Sequence, residues 1–233
     1  MKKFIVEKSF WDLFPEAKLG VILLKNINNN FDNEEFKKEL KKANNEAKKY
    51  LTSSILSEIE EVKVWREAYK KFKNKKGARS SIEALLKRVE QEKYVSSINP
   101  LVDIYNAASL KFALPCGAED IDKFVGNLKL EVTSGNDEFL ALGDEEVSYT
   151  YEGEVCYKDD AGAVCRCLNW RDGKRTMIDE NTKNAFLIME LLDLNRFSVL
   201  KEALEYIKKQ ASEYLNAEIE LKILDKDDFE INL

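Results

Sequence analysis

The sequence contains no histidine among its 233 residues. The side chain that most often transfers protons near pH 7 is therefore missing. Serine–histidine and cysteine–histidine nucleophile pairs are excluded, and so are metal sites built on imidazole. Any catalysis must use carboxylates, a thiol, lysine, tyrosine, groups of the substrate or positioned water. We expect no metal and no cofactor.

Cysteine is scarce, and long apolar runs are absent. The four cysteines, at positions 116, 156, 165 and 167, lack the C-x-x-C spacing of a zinc knuckle, so we predict buried free thiols. Residues 1–14 carry too much charge for a signal peptide. No segment approaches the roughly 20 apolar residues of a membrane helix. We therefore expect a soluble, cytoplasmic protein with no membrane partner.

The composition favours one folded domain. Apolar residues make up 44% of the chain, and 37 basic residues are mixed with 43 acidic ones. Only three prolines occur and no linker is visible, so we predict a single α+β domain over residues 1–233. We predict helices at 32–61 (with Asp32 or Asn33 as N-cap), 63–73, 80–92, from 99 to about 114, and 198–215. We predict strands at 3–10, 19–27, 128–133, 138–142, 154–158, 162–169, 184–192 and 217–224.

Residues 99–120 combine a helix with a polar turn. Asn99 and Pro100 form a typical helix start, an N-cap amide followed by proline at the first helical position. Asp103 and Asn106 are three residues apart, so we predict that they share one helix face. The sequence Pro-Cys-Gly-Ala-Glu-Asp (115–120) then breaks the helix. Either this polar face caps a neighbouring loop or it belongs to a binding site.

A second dense polar cluster is the segment CRCLNWRDGKRT, residues 165–176. Here Arg171 and Arg175 are suited to bidentate binding of a carboxylate or phosphate, and Trp170 to stacking on a ring. Alternatively, the segment is a hairpin tip with an internal Arg–Asp pair and Trp170 in the core. We also predict that Cys165 and Cys167 share one strand face.

A third cluster is a basic segment at residues 70–79, which contains six positive side chains and no acidic one. A local basic patch on an acidic chain suits a polyanion, with Tyr69 and Phe72 available for stacking. The alternative is a solvated helix end. The positive residues are Lys70, Lys71, Lys73, Lys75, Lys76 and Arg79.

The segment 99–120 also resembles a known family pattern. The matching positions are Asn99, Val102, Asp103, Ile104, Asn106, Leu110, Pro115, Ala118 and Asp120. This run resembles the editing (B3/B4) domain of the phenylalanyl-tRNA synthetase β subunit, and the Asn-Trp-Arg-Asp turn resembles its free-standing members. Gly117 stands where that family has histidine, and Lys174 stands near its glutamate. The resemblance covers about 80–192, which leaves 1–75 and 198–233 as extensions.

The resemblance implies a three-layer sandwich of antiparallel sheets with packed helices. It also implies a free-standing editing-type domain that binds tRNA or aminoacyl-tRNA and hydrolyses a mischarged aminoacyl ester in trans; DNA is not expected as a partner. A non-catalytic RNA-binding module and an amino-acid-binding pocket remain alternatives. The implied catalytic residues are Asn106, Asn169 and Asp172. The implied substrate-binding residues are Asp103, Cys116, Glu119, Asp120, Arg171 and Arg175, and the basic residues of 70–79 would contact RNA.

Overall fold

The computed structural model describes residues 2–32 and 34–233. The helices are α1 (Lys8–Leu13), α2 (Glu34–Glu46), α3 (Glu60–Ala68), α4 (Ser81–Glu90), α5 (Pro100–Phe112) and α6 (Phe197–Tyr214). The strands are β1 (Lys3–Val6), β2 (Lys18–Lys25), β3 (Cys116–Asp120), β4 (Leu128–Val132), β5 (Glu138–Phe139), β6 (Ser148–Tyr149), β7 (Val155–Asp159), β8 (Gly162–Arg166), β9 (Arg171–Asp172), β10 (Ala185–Leu191), β11 (Glu218–Leu224) and β12 (Glu230–Asn232).

The strands form two main sheets. The larger sheet has six strands in the order β12-β1-β4-β7-β8-β9, in which β1 and β4 are parallel and the other neighbours antiparallel. The smaller sheet is antiparallel, in the order β11-β2-β10-β3. A short hairpin of β5 and β6 lies beside β8.

The smaller sheet is the middle layer, and both of its faces are buried. On β10, Phe186 and Ile188 face the larger sheet, whereas Leu187 and Met189 face the layer of α2, α5 and α6. Because β10 buries both faces, its sequence is an almost continuous apolar run. The prediction of an α+β fold with antiparallel sheets and packed helices is confirmed.

Local capping brings β3 to the edge of the middle layer. The side chain of Asn99 accepts a hydrogen bond from the Val102 amide at 3.1 Å, and Pro100 occupies the first turn of α5. The helix ends at Ala113, whose φ of 47° is left-handed. This reversal sends the chain directly into β3, next to β10.

The predicted helix 32–61 and the predicted strand 3–10 are corrected. The predicted helix 32–61 is divided: α2 ends at Glu46, short 3₁₀ turns follow, and α3 begins at Glu60. The serines between them favour turns over helix interiors. The first strand ends at Val6 because α1 begins at Lys8, and β12 was not predicted. Asn33, proposed as an N-cap, lies outside the described residues. None of the described helices is both long enough and apolar enough to cross a membrane.

Candidate functional site

A cavity of about 50 Å³ lies between the two main sheets. Residues from β3, β9 and β10 meet there, together with the turn that follows β8. The residues of its wall include Gly117, Glu119, Asn169, Trp170, Asp172 and Glu190. Gly117, Trp170 and Asp172 are only half-buried, so they mark the side on which the cavity opens.

Strand alternation decides which side chains face the cavity. On β3, Gly117 pairs with Ile188 and Glu119 pairs with Phe186 of β10, and this face is turned toward the larger sheet. Glu190 lies two residues beyond Ile188 on the same face. The side chain of Cys116 instead packs in the core beneath the helices, although this residue also lines the cavity.

Glu119 is a buried carboxylate without a partner. It is only 5% exposed, and neither of its carboxylate oxygens makes a hydrogen bond among the described residues. Burial raises the pKa of Glu119 well above its usual value, and the nearby charge of Asp172 raises it further. The neighbouring Thr176 hydroxyl opposes that shift, and so do the positive charges of Arg175 and Lys123. A buried polar group in this state is costly unless a ligand or water satisfies it.

Glu190 is buried but well bonded. Its carboxylate accepts a hydrogen bond from the Tyr157 hydroxyl at 2.8 Å and one from the Asn169 side-chain amide at 3.3 Å. Burial raises the pKa of Glu190 to about 7, although these two hydrogen bonds act in the opposite direction. Burial also raises the pKa of Asp172. The described residues of the cavity wall thus supply three carboxyl groups and no basic side chain.

The turn that presents Asn169 and Trp170 contains two consecutive left-handed residues, Cys167 (φ 49°) and Leu168 (φ 64°). Glu154 holds this turn by accepting a hydrogen bond from the Cys167 amide at 3.0 Å. Each such residue costs about 1–3 kcal/mol and persists only where the surroundings impose it. Strain beside a cavity is typical of a site in which side-chain position matters.

The structure brings together four of the predicted site residues. Cys116, Glu119, Asn169 and Asp172 all line the cavity. Asp103 does not: it accepts hydrogen bonds from the Ser97 hydroxyl and, at 2.8 Å, from the Ile98 amide. It therefore caps the loop before α5, which is the structural alternative given above.

Asn106 and Asp120 also lie away from the cavity wall. Asn106 is half-buried on α5. Asp120 accepts hydrogen bonds from the Asp122 amide at 3.0 Å and from the Thr182 hydroxyl at 2.9 Å, so it organises the turn after β3. Their predicted roles in catalysis and substrate binding gain no support from the position of the cavity.

The two arginines are already paired with carboxylates. Arg171 bonds to Asp144 at 3.2 Å, and Arg175 makes a bidentate contact with Asp159 at 2.6 and 2.9 Å. The alternative of an internal Arg–Asp pair is therefore closer to the structure than a free clamp. The shared face predicted for Cys165 and Cys167 is wrong, because β8 ends at Arg166 and the backbone at 167 is left-handed.

The basic segment runs past the open side of the cavity. The Lys73 amide donates to the Gly153 carbonyl at 3.0 Å, and the Lys75 ammonium lies 5.7 Å from the centre of the Trp170 ring. Tyr69 and Phe72 are buried, so the interpretation that they stack on a ligand is wrong. Three lysines of the segment are exposed and have no acidic partner among the ion pairs of the described residues: Lys71, Lys73 and Lys76.

Sequence reasoning missed Glu190 and its partner Tyr157. The available signal was a single carboxylate inside the apolar run Phe-Leu-Ile-Met-Glu-Leu at 186–191. A lone acid in a strand buried on both faces is rare and indicates a functional or paired group.

The four cysteines are free and buried. In the described part of the chain, no group of three or more cysteine, aspartate or glutamate side chains is arranged to hold a metal ion.

Comparison with known proteins agrees with this architecture. The sequence model of the B3/4 domain matches residues 64–225. The chain belongs to the B3/4 domain family.

The chain is also similar to phenylalanine–tRNA ligase β subunits. It is 28% identical over 133 residues to that of Mycoplasma genitalium (56% of this chain, 16% of the relative). It is 32% identical over 93 residues to that of Fusobacterium nucleatum (40% and 11%). The match thus spans less than a fifth of either relative.

One solved structure is similar over nearly the whole chain. It is an N-terminal fragment of the phenylalanyl-tRNA synthetase β subunit from Pyrococcus horikoshii, with a TM-score of 0.50 and 13% identity. The likeness covers 98% of this chain and 52% of that one. At this identity, the likeness concerns the fold.

Proposed function

We propose that this chain binds the aminoacylated end of a tRNA in trans and hydrolyses the ester when a wrong amino acid is attached. The observation that carries the proposal is Glu119, a buried carboxylate without a hydrogen-bond partner in a cavity lined by acids. The α-ammonium group of an aminoacyl ester is a small cation with three hydrogen-bond donors. It would supply the hydrogen bonds that the Glu119 carboxylate lacks. Membership of the B3/4 family supports the choice of this ligand class.

The charge of the cavity favours an ester over a free amino acid. A free amino acid carries a carboxylate, for which the cavity wall offers the carboxyl groups of Asp172 and Glu190 and no basic partner. Esterification removes that charge and keeps the ammonium group. Arg171 and Arg175 do not offset the repulsion, because each is held by its own aspartate. The amino-acid-binding alternative is therefore the weaker candidate.

Hydrolysis requires a group that accepts a proton near neutral pH. In the proposed reaction, Glu190 takes a proton from water while the water oxygen bonds to the ester carbonyl carbon. The bond between that carbon and the ribose oxygen then breaks, and the proton passes to the ribose oxygen. The products are a free amino acid and uncharged tRNA. A pKa of about 7 suits Glu190 to this exchange, and Asn169 fixes its orientation through a 3.3 Å hydrogen bond.

The basic segment supplies a path for the RNA. Trp170 is half-buried at the open side of the cavity, and Lys75 lies over its ring. A terminal base stacked on Trp170 would place the preceding phosphates near the exposed Lys73 and Lys76. This arrangement puts the ester, which follows the last base, at the cavity.

The first test is deacylation of correctly and incorrectly charged tRNAs by the wild-type protein and by Glu119→Gln. We expect the wild-type protein to hydrolyse at least one ester faster than buffer does. We expect the E119Q rate to be at least about tenfold lower than the wild-type rate, because a neutral amide holds an ammonium group less well. Since the Glu119 oxygens make no hydrogen bonds, the exchange should leave the fold intact. The control is Glu220→Gln, which makes the same charge change at an exposed position of β11. Equal rates for E119Q and wild type would refute the role of Glu119.

A binding module without catalysis is the second candidate. It is favoured by Gly117, which places no side chain at the position where the family pattern has histidine, and by the exposed Lys174. Under this candidate, the protein retains tRNA without accelerating ester loss. The affinity for tRNA, measured at several salt concentrations, distinguishes the contribution of the RNA phosphate contacts from that of the cavity. Replacement of Lys71, Lys73 and Lys76 by alanine should reduce the slope of log affinity against log salt concentration by about 0.7–0.9 per lost phosphate contact. The same change at the exposed Lys201, Lys208 and Lys209 of α6 should leave that slope unchanged.

A further inference from the structure

We infer that the cavity accepts aminoacyl esters with small side chains, those of glycine, alanine and serine, and that Gly117 sets this limit. The inference rests on the proposed function and names its substrate class. Three observations support the size limit: the volume of the cavity, the close packing behind Phe186 and Tyr157, which form its floor, and the empty space in front of Gly117.

The size of the cavity excludes aromatic and long aliphatic side chains. Its volume is about 50 Å³. A buried cavity that admits benzene has about 150 Å³, three times as much. The cavity therefore holds an ammonium group, the α-carbon and one or two further atoms, but not the ring of phenylalanine or tyrosine.

The floor of the cavity is fixed from behind. Phe186 packs on Phe4 with ring centres 4.8 Å apart and on Phe124 at 6.4 Å. Tyr157 packs on Phe4 at 6.0 Å, and its hydroxyl is held by Glu190 at 2.8 Å. In a close-packed core, these side chains cannot withdraw to admit a larger ligand without opening a void elsewhere.

Gly117 leaves the remaining space free. A Cβ atom built at this residue meets only the Asp172 Oδ1 atom within 4 Å, at 3.9 Å. The φ angle at Gly117 is not in the left-handed range, so an alanine fits there without strain. Its methyl group would lie beside the Asp172 carboxylate, on the same face of β3 as Glu119, the proposed partner of the ammonium group. That space is where the first carbon of the substrate side chain must lie.

The experiment uses one tRNA charged in turn with glycine, alanine, serine, leucine and tyrosine. For the wild-type protein, we expect acceleration of the glycyl, alanyl and seryl esters over their own spontaneous rates. For the leucyl and tyrosyl esters, we expect at most about a tenth of that acceleration. Gly117→Ala should reduce the rate for the alanyl and seryl esters by about tenfold or more and reduce the glycyl rate less. Ile188→Val, which removes a methyl group from the cavity-lining neighbour of Gly117 on β10, should raise the rate for larger esters.

Each outcome separates the inference from the function on which it rests. Hydrolysis of leucyl or tyrosyl esters as fast as alanyl would overturn the size limit and leave the proposed hydrolase standing. If G117A hydrolyses the alanyl ester as fast as the wild-type protein does, Gly117 does not set the size limit. Failure to accelerate any ester, with the protein folded by circular dichroism, would overturn the proposed function and the size limit with it.

Discussion

Glu190 should make the protein less stable as pH rises through neutrality. Burial raises the pKa of this carboxyl from 4.5 to about 7, and the charge of Asp172 adds to the shift. Hydrogen bonds from Tyr157 and Asn169 favour the ionised form of Glu190 and so limit the rise in its pKa. Between pH 4.5 and 7, the folded protein therefore keeps a proton that the unfolded chain releases.

The sign and size of the effect follow from proton linkage. Where the folded state binds the extra proton, the free energy of unfolding falls as pH rises, by about 1.4 kcal/mol per unit. Over the interval from 4.5 to 7, the loss is about 3 kcal/mol. The contribution of Glu190 is fully present below its unfolded pKa and absent above its folded pKa.

Glu190→Gln removes this titration and keeps the shape of the side chain. The amide still accepts a hydrogen bond from Tyr157 but loses the acceptor for Asn169, which costs about 1 kcal/mol. At pH 8.5, we therefore expect E190Q to be about 2 kcal/mol more stable than the wild-type protein. Below pH 4.5, we expect it to be about 1 kcal/mol less stable.

Urea unfolding from pH 4 to pH 8.5 measures this crossing. Glu119 and Asp172 also have raised pKa values, so both proteins lose stability with pH, and only the difference between them reports on Glu190. Glu220→Gln, at an exposed site on β11, should follow the wild-type curve. A constant difference between E190Q and wild type across this range would show that folding does not raise the pKa of Glu190, and would remove it as the proposed proton acceptor.

Three further predictions test the frame around the cavity. Arg166→Met leaves the buried Glu154 without its guanidinium partner and should lower the free energy of unfolding by about 3–5 kcal/mol in urea; a loss below 1 kcal/mol would contradict the burial of this pair. Ser80→Ala removes the cap that accepts from the Glu83 amide and should cost about 1 kcal/mol, whereas no change in the melting midpoint would show that the cap is dispensable. Ellman's reagent should label no thiol of the native protein within minutes and four after unfolding; rapid labelling of the native protein would contradict the burial of the cysteines, which also raises the pKa of each thiol.

Local chemistry made part of the fold predictable. The cap at Asn99 was correctly predicted because an N-cap interacts only with residues two or three positions along the chain. The parallel pairing of β1 with β4 was not predicted, since it joins residues more than 120 positions apart and depends on the packing of the whole sheet. The division of the predicted helix 32–61 was missed because the apolar period continues across residues that end a helix.

The sequence indicated which segments contribute to the candidate site, but not how they meet. Glu119 and Asp172 each lie in a segment that the sequence marked as unusual, but their meeting depends on the register of β3 with β10 and of β9 with β8. Asp103 lay in the same unusual segment, yet it caps a local loop, because a helix start offers unpaired amides that a nearby carboxylate can satisfy. Sequence alone does not separate these two uses of an acidic residue.

The proposed reaction does not require a histidine at position 117, where the family pattern has one. An imidazole is useful because its ordinary pKa lies near 7. Burial between two sheets brings the carboxyl of Glu190 to about the same value, with Tyr157 and Asn169 to fix its orientation. In the proposed site, the glycine leaves its space to the substrate, while Glu190 on the neighbouring strand carries the charge change. Under this proposal, space for a ligand takes the place of a catalytic side chain at position 117, and Gly117→Ala tests that exchange through the size limit.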